Sequence, residues 1–371
     1  METRTIVIAD PDWDTAQVQE AGAALANGDL VIFPTETVYG LGASAVCAGA
    51  VGALSTLKDR RPDKPFTLHL GDPAQAERYA GPMPVVACRL ARKAWPGPLT
   101  LVVPDQRPPR GGPSGLIEDA LYHDGSVGLR CPDHSVATAI LASAGVPVAA
   151  TSANLRGQPA PRTASDAIAY FDGQVPLVVD AGPAQYPAAS TVVAVRADNT
   201  FHVLREGALA THRVNRLART SILFVCTGNM CRSPMAAGLA KQVLADTLGC
   251  RASDLPARGL DVASVGTSAM AGVGPSDNAI HAAADLGVDI RAHRSRLMTV
   301  DALRAADYIY VMTRGHRDAV VGLAPEAAPR VALVEPGGRD IQDPIGGDLA
   351  VYRACAARLR EALMTRLREI V

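Results

Sequence analysis

The stretch Ser221-Ile-Leu-Phe-Val-Cys226-Thr-Gly-Asn-Met-Cys231-Arg232-Ser233-Pro234 runs from a short apolar strand, through a loop, into a helical pattern. A loop that ends at a helix N-terminus points its backbone N–H groups at a bound oxyanion, and Gly228 lets the backbone close around it. The guanidinium of Arg232 can hold two phosphate oxygens. The stretch therefore predicts a phosphate-binding loop that contains a thiol, at the end of a strand in an α/β domain.

Strand and helix patterns continue to alternate after this stretch. Further short strands are predicted at Ala263–Val265, Asp307–Met312 and Val331–Val334, and one long helix at Ala350–Ile370. Four short parallel strands with helices between them are what a small doubly wound domain needs. We therefore expect a four-stranded parallel-sheet domain over residues 220–371.

The loop residues predict nucleophilic chemistry on phosphorus. The helix N-terminus and Arg232 favour the thiolate form of Cys226, which can attack a phosphate ester, and Ser233 can donate a hydrogen bond to the sulfur. The leaving group needs an acid, and Asp343 follows the last predicted strand in Gln-Asp343-Pro344-Ile-Gly-Gly. An Asp-Pro pair by itself is most often a turn.

Together, VCTGNMCRSPMA, SVGTSAMAG and DPIGGD resemble the low-molecular-weight protein tyrosine phosphatase family. The resemblance implies that Cys226 is the nucleophile, that Arg232 binds the phosphoryl group and that Asp343 donates the proton, without a cofactor. It also implies a redox partner for the nucleophile at Cys231; the alternative is that Cys231 only packs. The implied phosphate loop comprises Thr227, Gly228, Asn229, Met230, Cys231 and Ser233.

The substrate of this half is left open between two phosphorylated residues. The resemblance of DPIGGD is closer to the branch with protein-arginine phosphatases, whereas Met230 stands where that branch has threonine. A bulkier apolar side chain there should favour an aryl phosphate, so we expect protein phosphotyrosine, with phosphoarginine as the alternative. An arsenate reductase is disfavoured, because no further cysteine lies between Cys250 and Cys355.

The first half predicts an α/β domain with a mixed sheet over residues 1–210, joined to the phosphatase-like half by a polar linker over 211–219. Residues 197–199 read as a hairpin turn between its last two strands. Helices are predicted at Asp14–Ala26, Ala48–Leu57, Val85–Trp95, Ser135–Ala144 and Thr163–Tyr170. Strands are predicted at Leu30–Phe33, Phe66–Leu70, Leu99–Val103, Val127–Arg130, Val146–Ala150, Leu177–Val179, Thr191–Val195 and Phe201–Leu204.

Polar and cationic motifs follow these strands in order: PTETVYGLG at 34–42, the basic segment Lys58–Lys64, WPGPLT at 95–100, VGLRCPDH at 127–134, and Ser152-Ala-Asn154. The basic segment has a charge density that suits a triphosphate, although by itself it reads as a solvated loop. As a set the motifs resemble the YrdC-like threonylcarbamoyl-AMP synthase family, with a mixed twisted sheet, over about residues 5–210.

The resemblance implies condensation of L-threonine, bicarbonate and ATP into threonylcarbamoyl-AMP for tRNA threonylcarbamoyladenosine, with Mg²⁺ on the triphosphate. Dense cations are needed because three anions must meet in one cleft. The implied threonine site comprises Thr37, His69, Arg130, Ala150 and Ser190. The implied ATP site comprises Lys58, Arg60, Lys64, Ser126, Ser152, Asn154 and Arg205. The alternative is a module that binds double-stranded RNA or regulates, and partners would then include tRNA or its transfer machinery.

Composition bounds the partners and the compartment. The 371 residues carry 36 Lys and Arg against 37 Asp and Glu, so no bulk field attracts a polyanion or an acidic membrane. We read no secretory signal and no membrane helix in the sequence. Seven cysteines without regular spacing favour reduced thiols over a disulfide framework. We therefore expect a cytoplasmic enzyme.

Overall fold

The computed structural model describes residues 2–8, 15–61, 64–108 and 115–370. The chain divides into two compact units, Met1–Leu217 and Ala218–Val371. Residue 14 of the first predicted helix and residues 62 and 63 of the basic segment lie outside the described residues. Among the described helices, none combines the length and the apolar character needed to cross a bilayer.

The first unit is built on one mixed sheet. Its strands are β1 (Arg4–Val7), β2 (Val31–Phe33), β3 (Gly40–Ser44), β4 (Thr67–His69), β5 (Leu99–Pro104), β6 (Tyr122–His123), β7 (Ser126–Arg130), β8 (Val148–Ser152), β9 (Leu177–Asp180), β10 (Thr191–Val195) and β11 (Phe201–Arg205). Their order is β1-β9-β2-β3-β8-β4-β7-β5-β10-β11, and β6 pairs with β7. Parallel pairs such as β1 with β9 and antiparallel pairs such as β2 with β3 confirm the predicted mixed sheet.

Helices cover part of this sheet. They are α1 (Thr15–Ala26), α2 (Ala48–Leu57), α3 (Ala76–Ala80), α4 (Val85–Ala94), α5 (Ser135–Ser143), α6 (Ala164–Phe171) and α7 (Thr211–Ala218), which ends at the boundary between the units. Val18 and Leu25 of α1 and Ile140 of α5 share a buried cluster with Phe33 and Val148 of the sheet. This core fixes the ends of β2, β3 and β8, from which the polar motifs extend.

Several segments differ from what the sequence predicts. Residues 40–42, the end of the polar motif PTETVYGLG, lie in β3 in the middle of the sheet. A Cβ on Gly42 would lie 2.8 Å from Phe33 Cε1, so glycine is required there for close packing of the strands. The segment 211–219, read as a polar linker, is mostly the helix α7, which buries Val214. The predicted hairpin turn is confirmed: β10 and β11 are antiparallel, and Asn199 has φ +66°.

The second unit has the predicted doubly wound fold. Its strands are β12 (Thr220–Cys226), β13 (Leu260–Gly266), β14 (Tyr308–Val311) and β15 (Val331–Leu333), and its helices are α8 (Arg232–Leu248), α9 (Asp277–Ala284), α10 (Val300–Ala305), α11 (Arg314–Leu323) and α12 (Leu349–Arg366). The four strands are parallel, in the order β13-β12-β14-β15. Ile222 and Phe224 join a core with α8 and α12, whereas Leu223 and Val225 join one with α10 and α11. Both sheet faces are therefore covered.

Candidate functional site

The phosphate-binding loop lies at the carboxyl edge of the parallel sheet, where β12 ends at Cys226 and α8 begins at Arg232. The loop is held against the next strand, because Thr267 N–H donates to Cys226 O at 2.9 Å and Ser268 N–H donates to Thr227 O at 3.0 Å. A Cβ on Gly266 would lie 2.3 Å from Thr227 O. Glycine at this position is therefore what lets the loop approach β13.

The sulfur of Cys226 is buried among hydrogen-bond donors. Its Sγ lies 3.0 Å from Ser233 Oγ and accepts from Asn229 N–H at 3.3 Å. Burial raises the pKa of the Cys226 thiol, while the bonds from Ser233 and Asn229 and the charge of Arg232 lower it. In the free structure burial outweighs the other effects. The thiolate form of Cys226 stays a prediction, and the expected contact of its sulfur with Ser233 is present.

Asn229 holds the loop in shape. It has φ +54°, a left-handed conformation in which a side chain is uncommon. Its amide donates to Ser233 Oγ at 2.8 Å and to Ser264 Oγ at 2.9 Å, and it accepts from Arg296 N–H at 2.9 Å. The ring of His293 lies 2.8 Å from Asn229 O. These bonds fix the strained residue, so the donors around the sulfur are preorganised.

The structure brings Asp343 to the loop from 111 residues away in sequence. Its carboxylate pairs with the guanidinium of Arg232, which is almost fully buried and also donates to Ile341 O at 3.1 Å. The side chain of Asp343 is 38% exposed, so it is open to solvent beside the loop. The nucleophile, the phosphate-binding cation and the acid named from the sequence therefore meet at one place.

The sulfur of Cys231 contacts two hydroxyl groups from outside the loop. Its Sγ lies 3.3 Å from Ser276 Oγ and 3.4 Å from Tyr352 Oη. All seven cysteines are free. Met230 is half-buried, and its terminal methyl lies 3.8 Å from where a Cβ on Gly228 would stand. The side chain of Met230 therefore lies against the loop backbone at Gly228 and against the core of the second unit.

Sequence reasoning missed a histidine beside this loop. The ring of His316, at the start of α11, is buried between Thr227 Oγ1, 2.9 Å from Nε2, and Thr313 Oγ1, 2.8 Å from Nδ1. Burial and the charge of Arg232 lower the pKa of His316 to about 4, against the opposing effect of Asp343. No local sequence signal marks His316, because its partner Thr227 is 89 residues away.

The first unit contains a cavity of about 560 Å³ along the ends and faces of several strands. It brings together most of the side chains named from the sequence. From the threonine set, His69, Arg130, Ala150 and Ser190 line it, and from the ATP set, Arg60, Lys64, Ser126, Ser152 and Arg205 line it. Thr37, Lys58 and Asn154 are absent from the lining, and each instead holds a residue that lines it.

Arg130 is held from behind the cavity. Its Nη2 donates to Thr37 Oγ1 at 2.6 Å and to Glu36 Oε1 at 3.0 Å, and both Arg130 and Glu36 are buried. Arg130 Nε and Glu36 Oε2 are buried polar atoms with no hydrogen-bond partner among the described residues. Glu36 was quoted in the sequence motif without a role. Its carboxylate balances the charge of Arg130, which lines the cavity.

At the end of the cavity where Arg130 stands, the other polar side chains of the threonine set are uncharged. Burial, together with the charge of Arg130, lowers the pKa of His69 to about 3, so its ring is uncharged at neutral pH. Ser190 Oγ lies 2.9 Å from Thr100 Oγ1, and Arg205 Nη2 donates to Ser190 O at 2.8 Å. This end offers hydroxyls, one imidazole and one guanidinium to a small polar ligand.

Lys58 and Arg60 of the basic segment are tied to backbone oxygens, whereas Arg61 and Lys64 are exposed. Lys58 Nζ donates to Ser152 O at 2.8 Å and also to Asn154 O. Burial, and secondarily Arg60, lowers the pKa of Lys58 to about 8. Arg60 donates to backbone carbonyls of its own loop and stacks 4.5 Å from the centroid of the Phe66 ring. Lys58 and Arg60 are therefore partly desolvated, and Arg60 and Lys64 line the cavity.

A magnesium ion would find little direct protein ligation here. Among the described residues, no group of three or more His, Cys, Asp or Glu side chains is placed to hold a metal ion. Asp124 is the one carboxylate of those lining the cavity. This fits a cation that is carried by triphosphate oxygens and keeps several waters, as Mg²⁺ does when it binds with a nucleotide.

Comparison with known proteins separates the two halves. Residues 23–207 match the family model named for Sua5, YciO and YrdC, which is described as telomere recombination. Residues 221–370 match the model described as low molecular weight phosphotyrosine protein phosphatase. The two matches fall on opposite sides of the boundary between the compact units.

Three curated relatives illustrate the similarity. A threonylcarbamoyl-AMP synthase of Bacillus subtilis is 37% identical over 53% of this chain, and the chain spans only 55% of that relative. A putative threonylcarbamoyl-AMP synthase of Mycobacterium tuberculosis is 39% identical over 57% of this chain and 94% of its own length. A protein-arginine-phosphatase of Geobacillus stearothermophilus is 38% identical over 40% of this chain and 93% of its own length.

Among solved structures, Sua5 of Pyrococcus abyssi complexed with L-threonine has a TM-score of 0.53 and 20% identity, covering 98% of each chain. At this identity the likeness concerns the fold alone.

Proposed function

Because residues 23–207 of this chain belong to the Sua5, YciO and YrdC family and residues 221–370 to the low-molecular-weight phosphotyrosine protein phosphatase family, we propose a bifunctional enzyme with one activity in each unit. The first unit makes threonylcarbamoyl-AMP and pyrophosphate from L-threonine, bicarbonate and ATP. The second unit hydrolyses a phosphorylated protein. The free state of all seven cysteines supports a reducing, cytoplasmic setting for both.

The observation that supports the synthase is the distribution of charge in its cavity. Arg130 and Arg205 stand at the end with the hydroxyls of Ser190 and Thr100, which suits the carboxylate and hydroxyl of threonine. Lys64 and Arg60 line the cavity beside Ser152, which suits a triphosphate. Holding the reactants in one cleft lowers the barrier by removing translational and rotational freedom before reaction. Mg²⁺ bound to the phosphates would supply further charge neutralisation.

Release of pyrophosphate tests this activity. The full-length protein should release pyrophosphate from ATP only when both L-threonine and bicarbonate are present. Arg130→Ala should abolish the pyrophosphate release that depends on L-threonine and bicarbonate. Cys226→Ser, in the other unit, should leave this release unchanged. Pyrophosphate release that does not depend on threonine would favour the binding module instead. The absence of pyrophosphate release, together with tight binding of double-stranded RNA, would also favour it. Transfer of the product to adenosine in tRNA by a separate enzyme would place the activity in tRNA modification.

The observation that supports the phosphatase is the convergence of Cys226, Arg232 and Asp343 on one loop. The sulfur attacks phosphorus, an S–P bond forms as the bond to the leaving group breaks, and the carboxyl of Asp343 gives that group its proton. Water then hydrolyses the cysteinyl phosphate, with Asp343 as the base, and the thiol is restored. Ser233 stabilises the sulfur as it leaves.

Because Arg232 and Asp343 form an ion pair, binding of the substrate also changes the contacts of Asp343. A phosphoryl group that binds Arg232 must displace the Asp343 carboxylate from it. The displaced carboxylate is then released on the cleft side, where the leaving group lies. The freed carboxylate then takes a proton from solvent and can protonate the leaving group, while Arg232 holds the phosphoryl oxygens.

Protein phosphotyrosine is the proposed substrate, because the apolar side chain of Met230 on the loop favours an aryl group over a guanidinium. Phosphoarginine is the second candidate, since the Geobacillus stearothermophilus relative is a protein-arginine-phosphatase. Phosphate release from phosphotyrosine and phosphoarginine peptides, measured side by side with Cys226→Ser as the blank, separates them. A preference of the natural protein for phosphoarginine would mean that Met230 does not exclude this substrate, and a phosphotyrosine preference that is unchanged in Met230→Thr would show that Met230 does not select it.

The same loop raises a redox proposal. Cys226 and Cys231 can form a disulfide on mild oxidation, in which two thiols lose two electrons and two protons to peroxide. In the free structure Cys231 instead bonds to Tyr352 and Ser276. Reversible loss of phosphate release after peroxide, prevented in Cys231→Ala, would support the disulfide, and unchanged activity would mean that Cys231 only packs.

A further inference from the structure

The hydroxyl of Thr227 stands at the open side of the phosphate-binding loop, and its hydrogen-bonding partners are unusual. Thr227 is an exposed residue directly after the nucleophile. Its Oγ1 lies 2.9 Å from His316 Nε2, and Arg232 Nη2 approaches it at 3.5 Å. Neither contact is a phosphate contact of the loop backbone. The question is which of these atoms donates.

Thr313 decides the direction. Its Oγ1 caps α11 by accepting from His316 N–H at 3.3 Å, and the same oxygen lies 2.8 Å from His316 Nδ1. If Nδ1 accepts from the Thr313 hydroxyl, every proton of this residue pair is used, and Nε2–H donates to Thr227. In the opposite tautomer the half-buried Thr313 hydroxyl has no acceptor among the described residues. The first arrangement therefore avoids the cost of an unsatisfied group.

The charge state of the ring keeps this direction fixed. His316 is buried, and its burial and the nearby Arg232 hold its pKa far below neutrality, with Asp343 and Asp340 opposing them. A neutral imidazole has one donor and one acceptor, so it cannot donate to both threonines. Thr227 Oγ1 then accepts from His316 and, at longer range, from Arg232. Its own proton has no acceptor among the described residues.

We propose that Thr227 is a substrate-binding residue whose hydroxyl donates to a phosphoryl oxygen, and that His316 is a positioning residue that orients it through the chain Thr313–His316–Thr227. This inference rests on the proposed phosphatase function and adds a side-chain donor to the backbone donors of the loop. The acceptor of this hydrogen bond is an oxygen of the phosphoryl group that, under the proposed function, binds to Arg232 and the loop.

Binding of inorganic phosphate to the full-length protein tests the donor. Binding is followed by NMR at the Gly228 amide, which separates this loop from the cationic cavity of the first unit. Thr227→Val, which keeps the shape without the hydroxyl, should weaken phosphate binding about tenfold, as expected for one hydrogen bond to a charged group. Thr227→Ser keeps the hydroxyl and should bind within about twofold of the natural protein. Equal affinity of the valine variant and the natural protein would overturn the inference.

A double-variant cycle tests the role of His316. His316→Leu should weaken phosphate binding in the natural chain but have no further effect in Thr227→Val. His316→Gln, whose amide can still donate near the Nε2 position, should restore part of the affinity. If the loss of phosphate affinity in the double variant equals the product of the losses in the two single variants, His316 acts independently of Thr227, and its proposed positioning role is wrong. Thermal unfolding of each variant identifies any that fails to fold, and the glutamine and serine variants then carry the test.

The tautomer provides a readout that needs no substitution in the loop. In protein with ¹⁵N-labelled histidine, the His316 signals, assigned by their absence from His316→Gln, should show the proton on Nε2. A proton on Nδ1 would overturn the inference. Phosphate binding and tautomer do not depend on turnover. If the protein hydrolyses neither phosphopeptide but shows the expected phosphate binding and tautomer, the proposed phosphatase function is wrong and the inferred phosphate-binding site still holds.

Discussion

Removal of the Glu36 carboxylate should destabilise the first unit far more than removal of an exposed one. Glu36 is 1% exposed and its ion-pair partner Arg130 is 6% exposed. Deleting one member of such a pair leaves an uncompensated buried charge, which costs about 3–5 kcal/mol in the free energy of unfolding. Because Glu36 Oε2 has no partner among the described residues, the pair is incompletely satisfied, and we expect the low end, about 3 kcal/mol.

For a unit of this size, about 3 kcal/mol corresponds to a fall in Tm of roughly 6–12 °C. Tryptophan fluorescence is the appropriate assay, because both tryptophans of the chain, Trp13 and Trp95, belong to the first unit. The matched control is Glu20→Ala, which removes the same side chain from an exposed pair with Arg4 in the same unit. An exposed pair contributes about 0–1 kcal/mol.

Glu36→Gln separates charge from hydrogen bonding. The amide oxygen can still accept from Arg130 Nη2, so we expect a loss of Tm between those of Glu20→Ala and Glu36→Ala. If Glu36→Ala lowers Tm no more than Glu20→Ala does, the buried pair contributes nothing to the unit. The view that Glu36 balances Arg130 behind the cavity would then be wrong.

Three further outcomes are expected. The KM for ATP should rise from pH 7 to pH 9, because Lys58 loses its proton near pH 8 and with it part of the attraction for phosphate; Lys58→Arg should flatten this profile. Asp343→Asn should lower kcat for a phosphopeptide by about 10²–10⁴-fold, while NMR titration shows phosphate binding that is no weaker, since no carboxylate competes for Arg232. Gly266→Ala, whose Cβ would meet Thr227 O at 2.3 Å, should reduce phosphate release sharply and leave pyrophosphate release unchanged.

The periodic parts of the fold could be predicted from the sequence, because apolar runs and helical spacing report directly on burial. The exceptions have physical reasons. The strand Gly40–Ser44 has the sequence GLGAS, in which Leu41 is the one large apolar residue, so it shows no strand-like apolar pattern. Glycine at position 42 leaves space for the ring of Phe33. Burial along Arg4–Val7 is confined to Ile6, so its alternation is incomplete. The helix Thr211–Ala218 is mostly polar and buries one large apolar side chain, Val214.

The chemistry of the phosphatase site was predictable for a different reason. Its nucleophile, donors and cation lie within eight consecutive residues, so the strand and helix on either side fix their geometry. What the sequence could not supply is the balance of opposing effects on one atom. The helix start and Arg232 lower the pKa of Cys226, but burial raises it further, and Asp343 partly compensates Arg232. Only coordinates show how deeply the sulfur is buried.

The synthase cavity represents the opposite case, because its walls come from strands throughout the first unit. The charge density of the basic segment indicates that an anion binds there. Lys58 and Asn154, however, do not line the cavity and instead hold Ser152, which does. Arg130 lines the cavity and is paired with Glu36, which lies 94 residues away in the sequence. A loop that binds phosphate through its own backbone is legible in one motif. A cavity that binds it through side chains must first neutralise and orient them, and the residues that do so carry no signature near the ligand. Glu36 pairs with Arg130, 94 residues away, and His316 contacts Thr227, 89 residues away, so no local motif assigns either residue a role.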